Sequence, residues 1–131
     1  MHMLSESETR QLLIDSYHSS PEADRRISEA LASQEFVALL LHIAVDADDY
    51  QGDAPMTAAY FLSQASVVLL QPHEEKLLAL LETADGYAGS VALALGRIQS
   101  PSAKATIEQR LAEGWWSEHL YKEALSCYGN A

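Results

Sequence analysis

Cysteine, glycine and proline are scarce in this chain of 131 residues. Cys127 is the single cysteine, so no internal disulfide can stabilise the fold, and a reducing cytoplasm fits best. The four prolines lie between apolar segments rather than inside them, which is typical of helices joined by short turns. Hydrophobic residues make up 48% of the chain, which argues against disorder and predicts one packed domain.

Basic residues are also few, at eight against nineteen acidic residues, and the net charge is −11. No lysine or arginine lies between Arg26 and Lys76, and residues 1–53 hold eleven acidic and three basic residues. Nucleic-acid binding normally rests on a basic surface that displaces counterions, so this composition argues against a direct nucleic-acid role. The acidic surface is compatible with a basic protein partner.

No segment is apolar enough for a membrane span or a signal peptide. The longest stretch without a formal charge runs from Ala54 to His73, and it contains two prolines, two serines and two glutamines. We expect a buried helix there rather than a bilayer span. The acidic first turn lacks a basic n-region, so we expect no secretory leader and a cytoplasmic location. Residues 1–3 are compatible with a cloning remnant, so no prediction about fold or function depends on them.

Capping and turn residues predict about eight helices. Several start at a serine that is followed by proline or an acidic residue, as at Ser20-Pro21-Glu22. The helix from about Glu35 to Val45 is apolar nearly all round and should be buried on several sides. The remaining predicted helices run from Ser5 or Ser7 to Tyr17, from about Pro55 to Leu70, from Tyr87 to Ile98, from Ser100-Pro101 to about Ala112 and from Ser117 to Gly129, and one more begins at Gln71-Pro72. Gly114 should end the helix that begins at Ser100-Pro101, in the left-handed conformation.

Spacings near thirty residues relate the later helices to one another. Residues 59–62 lie 33 positions before residues 92–95, and residues 94–96 lie 30 positions before residues 124–126. The stretch Ala94-Leu95-Gly96-Arg97-Ile98, followed by Ser100-Pro101-Ser102-Ala103 and by Ile107 to Leu111, resembles the short-repeat HEAT family. The resemblance covers roughly residues 53 to 128 and is best over residues 85 to 112.

The resemblance implies an all-α, HEAT-like α-solenoid of antiparallel helix pairs. The aspartate that often heads a HEAT repeat is present at Asp53 and Asp85 but not at Trp115, and Gly89-Ser90 stands near the place of the usual early arginine. Residues 1–131 would form one domain, with residues 4–52 as a cap or divergent repeat and residues 53–128 as HEAT-like pairs. HEAT-like modules act as interaction scaffolds, which implies a binding role by analogy.

The residue patterns that could carry catalysis or metal binding fail on spacing. An EF-hand loop that began at Asp46 would need glycine and glutamate where Gln51 and Thr57 stand. Cys127 and His119 are eight residues apart on one predicted helix, which separates them by about 12 Å. We expect a buried, inert Cys127.

The histidines likewise show no spacing typical of a zinc site. His42 is expected in the core or at a helix seam. We therefore predict no enzyme, no metal and no cofactor.

The candidate partner-binding residues are carboxylates and aromatics. Trp115 and Trp116 are adjacent at a helix junction and must point in different directions, so one should anchor the core while the other is partly exposed. The acidic loop from Asp46 to Asp53 is interpreted first as a solvated connection between helices, and the partner-binding surface is the alternative. The full candidate set is Asp46, Asp48, Asp49, Tyr50, Asp53, Tyr87, Trp115 and Trp116.

These observations favour a non-enzymatic protein-binding module, and its size and acidity resemble those of the bacterial immunity proteins or antitoxins that block a basic toxin enzyme. One alternative is a HEAT-like lyase or a protein that handles a chromophore or another small molecule. A further alternative is a homo-oligomeric scaffold. The oligomeric state stays open at this stage.

Overall fold

The computed structural model describes residues 4–45, 53–83, 88–115 and 118–128, and these ranges contain helices and turns but no strand. The all-α prediction is confirmed for them. The helices of nine residues or more are α1 (Glu6–Tyr17), α2 (Pro21–Ala30), α3 (Gln34–Ala44), α4 (Asp53–Leu62), α6 (Glu74–Thr83), α7 (Ala88–Arg97), α8 (Pro101–Glu113) and α9 (Glu118–Ser126). The single turn α5 (Val67–Leu70) and a 3₁₀ turn (Gln71–His73) connect α4 to α6.

Serine side chains begin the first three helices, as their sequence predicts. The hydroxyls of Ser5, Ser20 and Ser33 each accept a hydrogen bond from the backbone N–H three residues later. The Glu8 carboxylate accepts in return from the backbone N–H of Ser5, which completes a capping box. These hydrogen bonds satisfy N–H groups that have no partner within the helix.

The predicted single helix from about Pro55 to Leu70 is wrong, because α4 begins at Asp53 and ends at Leu62. The Ser63 hydroxyl donates to the carbonyl of Tyr60, and the Arg97 guanidinium donates from Nη1 to the carbonyls of Ser63 and Ala65 at 2.6 and 2.5 Å. These carbonyls have partners outside a continuous helix, so the chain can turn before α5 begins.

Helix α7 lies at the centre of the second half and packs against α4, α6, α8 and α9. Its residues are small, and those from Val91 to Gly96 are all buried. Gly96 lies directly against the backbone of Ala124 in α9. Helix α4 contacts α1 and α3 as well as α7, so one hydrophobic core runs through both halves of the described chain. No described helix is both long and apolar enough to cross a bilayer.

Gly114 ends α8 in the left-handed conformation, with φ 78° and ψ 36°, as its sequence position predicts. The N–H of Gly114 donates to the carbonyl of Leu111, and the N–H of Trp115 donates to the carbonyl of Arg110. This turn places Trp115 back against the last turn of α8.

Candidate interaction surface

Two of the eight predicted partner-binding residues, Asp53 and Trp115, lie in the part of the chain that the structure describes. The other six, Asp46, Asp48, Asp49, Tyr50, Tyr87 and Trp116, lie outside the described residues. The structure therefore shows Val45 and Asp53, which precede and follow the acidic segment 46–52 in the sequence, and it shows the surroundings of Trp115.

An exposed tyrosine lies beside a histidine that contacts Asp53, where the end of α1 meets the start of α4. The Asp53 Oδ2 atom is 3.3 Å from Nε2 of His18, which follows the last residue of α1. Tyr17 is 50% exposed, and its ring meets the His18 ring edge to face at 5.2 Å between centroids. The sequence analysis did not select Tyr17 or His18, because neither shows in sequence that α1 ends beside α4.

The residue on the other side of the acidic segment is Val45, which follows α3 and is 48% exposed. The outer face of α3 carries Glu35, Ala38 and His42, which are exposed at helical spacing. Of the two places expected for His42, the core is wrong, because the apolar side chains of α3 fill the opposite face, whereas a helix seam agrees with its contact to α1. His42 instead reaches α1 at the surface, where its Nε2 lies 3.2 Å from the Glu6 carboxylate.

Two of the eight basic side chains contribute little positive charge to the surface, because one is held by backbone carbonyls and the other is buried. Arg97 is half-buried beneath the end of α4, and Arg110 is buried in α8. Arg25 is exposed but lies between Glu22 and Glu29, whose hydrogen bonds raise its pKa above the ordinary value. The positive charge available to the surroundings is therefore small.

Trp115 packs on the core as one of the two tryptophans was expected to do. Its ring is half-buried, and its Nε1–H donates to the Glu113 carboxylate at 2.9 Å. The Arg110 guanidinium stacks over the same ring, with Cζ 4.1 Å from the centroid. Arg110 was not selected from the sequence, where it stands as an ordinary charge near a helix end.

A polar cluster joins α6, the α7–α8 turn and the residues after α9. The Ser100 hydroxyl donates to the Glu74 carboxylate, and the Tyr128 hydroxyl donates to the Ser100 carbonyl at 2.8 Å. Burial, with Cys127 and Glu74 nearby, raises the pKa of Tyr128 to about 12. In the adjacent 3₁₀ turn, burial and then Lys76 lower the pKa of His73. The cluster fixes the end of the chain to the core.

Cys127 is half-buried rather than buried, so that expectation is wrong. It follows the last residue of α9 and has one face open, while its Sγ contacts the Glu123 carbonyl at 3.5 Å. His119 is exposed. Among the described residues, no three histidine, cysteine or acidic side chains form a potential metal site.

The chain matches no family model, no curated protein and no solved structure. No related protein therefore indicates what this surface binds, and its chemistry follows from the side chains of this chain. An exposed aromatic ring and an exposed aliphatic side chain, each beside acidic groups, can contact a basic surface and bury apolar area against it. We call Tyr17, His18, Val45 and Asp53 the acidic-segment flank.

Proposed function

We propose that this protein is a non-enzymatic binding module for a basic protein, which it contacts through the acidic-segment flank. The observation that carries the proposal is the exposure of Val45 and Tyr17. Val45 directly precedes a segment that contributes three further aspartates, and the ring of Tyr17 contacts His18, which pairs with Asp53 directly after that segment. Large apolar side chains that stay half exposed beside a charged surface are typical of residues that a partner covers.

The two kinds of residue have different roles in such a contact. The carboxylates create a negative potential that raises the rate at which a basic partner arrives. The ring of Tyr17 provides contact area at a low cost in side-chain entropy, and it keeps the partner bound once water is excluded. The His18 ring packs edge to face against that ring, and Asp53 in turn contacts His18.

The most specific form of the proposal is an immunity protein or antitoxin that blocks a basic toxin enzyme inside a bacterium. The support is the small acidic helical domain and the withdrawal of Arg97 and Arg110 from its surface. We also infer that the later helices stack as HEAT-like antiparallel pairs. Contacts between the successive helices α6 and α7, between α8 and α9, and between α7 and α9 support this arrangement.

The test begins with the protein that co-purifies with the tagged chain from its native host at low salt. Tyr17→Ala should weaken the affinity for that protein by about tenfold or more, as loss of an aromatic anchor does. Tyr60→Ala is the matched control, because Tyr60 on α4 is 52% exposed, and we expect it to change the affinity less than about twofold.

Equal effects of the two tyrosine variants would contradict the proposed surface. Co-expression of the chain with the isolated partner tests the toxin form of the proposal. If the partner stops growth, the chain should restore growth, and Tyr17→Ala should restore it less well.

A homo-oligomeric scaffold is a second candidate that one observation favours. Tyr60 and Val68, which are 52% and 74% exposed, lie on the uncharged segment 54–73, where two copies of an acidic chain repel each other least. Sedimentation equilibrium would show a dimer that Val68→Asp weakens. A monomer at all concentrations would exclude this candidate.

A further inference from the structure

Arg110 differs from Arg97 and Arg25 because one of its guanidinium nitrogens makes no hydrogen bond with the described residues. It lies in the last turn of α8 and is 6% exposed. Its Nη1 is buried and has no hydrogen-bond partner among the residues that the structure describes. By contrast, Nη1 of Arg97 donates to two carbonyls, and the exposed Arg25 donates to two carboxylates.

A buried cation needs compensation, and the contacts of Arg110 supply part of it. The Trp115 ring lies against the guanidinium, and the negative end of α8 is close by. Neither of these contacts accepts a hydrogen bond from Nη1. The nearby Glu113 carboxylate instead accepts from Trp115 Nε1. A directional donor therefore stays unused inside a chain with nineteen acidic residues.

We propose that Arg110 and Trp115 form a binding site for a monoanionic carboxylate. The planar guanidinium matches the geometry of a carboxylate, and the indole offers an apolar face to the carbon atoms that bear it. Glu113 and the net charge of −11 disfavour a dianion such as phosphate at the same place. The proposal needs no protein partner, so it stands apart from the proposed function.

Binding at this site requires a small movement, because Nη1 is closed to solvent. Trp115 is the half-buried neighbour that contacts the guanidinium, and it lies after the end of α8 rather than inside a helix. A ligand oxygen that reaches Nη1 should therefore shift the indole, whose face then lies against the carbon atoms of the ligand. Displacement of the indole changes its emission, which gives the site an optical signal.

The experiment is a titration of the Trp116→Phe variant with sodium acetate at constant ionic strength, with sodium chloride as the replaced salt. Trp115 is then the single tryptophan in the chain. We expect a saturable change in its emission with a dissociation constant on the order of 10 mM, as a weak single-anion contact gives. The Arg110 Nε–Hε signal in the NMR spectrum should shift over the same range of acetate.

Variants separate the site from general salt effects. Arg110→Gln should weaken acetate binding at least tenfold, and Arg110→Lys should weaken it as well, since an ammonium lacks the planar fork. Arg26→Gln is the matched control and should bind acetate as the parent does. If Arg110→Gln fails to fold by circular dichroism, the acetate-dependent shift of the Arg110 signal in the parent decides the matter.

The proposal is overturned if acetate acts no differently from chloride, if sulfate binds as well as acetate, or if Arg110→Gln leaves the response unchanged. A carboxylate can come from a free small acid or from a protein side chain. Glutamate blocked at both backbone ends distinguishes these sources. Binding of the blocked glutamate supports a side-chain ligand, whereas binding of acetate alone supports a small free acid.

Discussion

At Gly96 the backbone of α7 lies in close contact with the backbone of α9. A Cβ at this position would lie 2.5 Å from the carbonyl oxygen of Ala124 and 2.8 Å from its Cα. These are backbone atoms of a neighbouring helix, so α9 would have to move away from the core. We predict that Gly96→Ala lowers the free energy of unfolding by about 2–3 kcal/mol, measured by urea denaturation.

Gly114→Ala provides the comparison, because the reason for glycine is different there. Gly114 has φ 78°, and among the described residues, its two chain neighbours aside, no atom lies within 4 Å of the place where its Cβ would be. The cost is conformational strain alone, about 1 kcal/mol. Equal losses at the two glycines would contradict the close approach of α7 and α9.

His73 gives the fold a dependence on pH in the weakly acidic range. Burial, followed by Lys76, lowers its pKa in the folded state below the ordinary value of 6.5. The unfolded chain therefore binds more protons around pH 6, and stability falls as the pH drops through about 6.5. His73→Gln removes this contribution, so the stability lost between about pH 7.5 and about pH 5.5 should be smaller in the variant. An equal loss in both proteins would refute this role of His73.

At the scale of the helices, Arg97 stabilises the turn that follows α4. Its guanidinium lies at the end of α7, yet it donates to the carbonyls of Ser63 and Ala65 beyond α4. Arg97→Met leaves these part-buried carbonyls without that donor, and we predict a loss of about 2–4 kcal/mol in the free energy of unfolding. Arg25→Met is the control with the same chemical change. It should leave stability nearly unchanged, because its ion pairs with Glu22 and Glu29 are exposed.

The contrast between local and distant interactions explains what the sequence could predict. Ser20, Ser33 and Gly114 act on their own helix ends, so their sequence neighbours predict the starts and the stop correctly. The turn after α4 is held partly by an arginine more than thirty residues away, which no local pattern reveals. The apolar length of the segment therefore suggested a helix to Leu70 that does not form.

The candidate surface shows the same limit. Asp53 could be selected because acidic residues cluster around it in the sequence. Tyr17 and His18 could not, since their place beside Asp53 follows from the packing of α1 on α4. The unused donor of Arg110 also follows from packing, because sequence alone does not say that this guanidinium is buried.

At the scale of the whole molecule, the charge distribution decides how a basic partner would approach. Residues 1–53 hold eleven of the nineteen acidic residues, and Arg97 and Arg110 in the second half do not offset them at the surface. The exposed Val45 directly precedes the most acidic segment in the sequence, and Asp53, which contacts His18 beside the exposed Tyr17, directly follows it. Approach and retention should therefore depend on the acidic segment and on the acidic-segment flank.

Charge reversal within the acidic segment should slow the arrival of the partner. Asp48→Lys combined with Asp49→Lys should reduce the association rate roughly tenfold or more at low salt, and by less at high salt, because ions screen exposed charges. If the Trp116 indole is exposed, Trp116→Ala should instead speed dissociation, by the equivalent of about 2 kcal/mol or more. The control for the reversal of Asp48 and Asp49 is Glu108→Lys combined with Glu123→Lys, which makes the same change in net charge on exposed positions of α8 and α9.

The decisive measurement is the association rate of the co-purified partner with these two double variants at low and high ionic strength. We predict a large, salt-dependent decrease for the variant of Asp48 and Asp49 and a much smaller one for the variant of Glu108 and Glu123. An unchanged rate for the first variant at low salt, or equal decreases for both, would show that the acidic segment is a solvated surface and that the partner binds elsewhere.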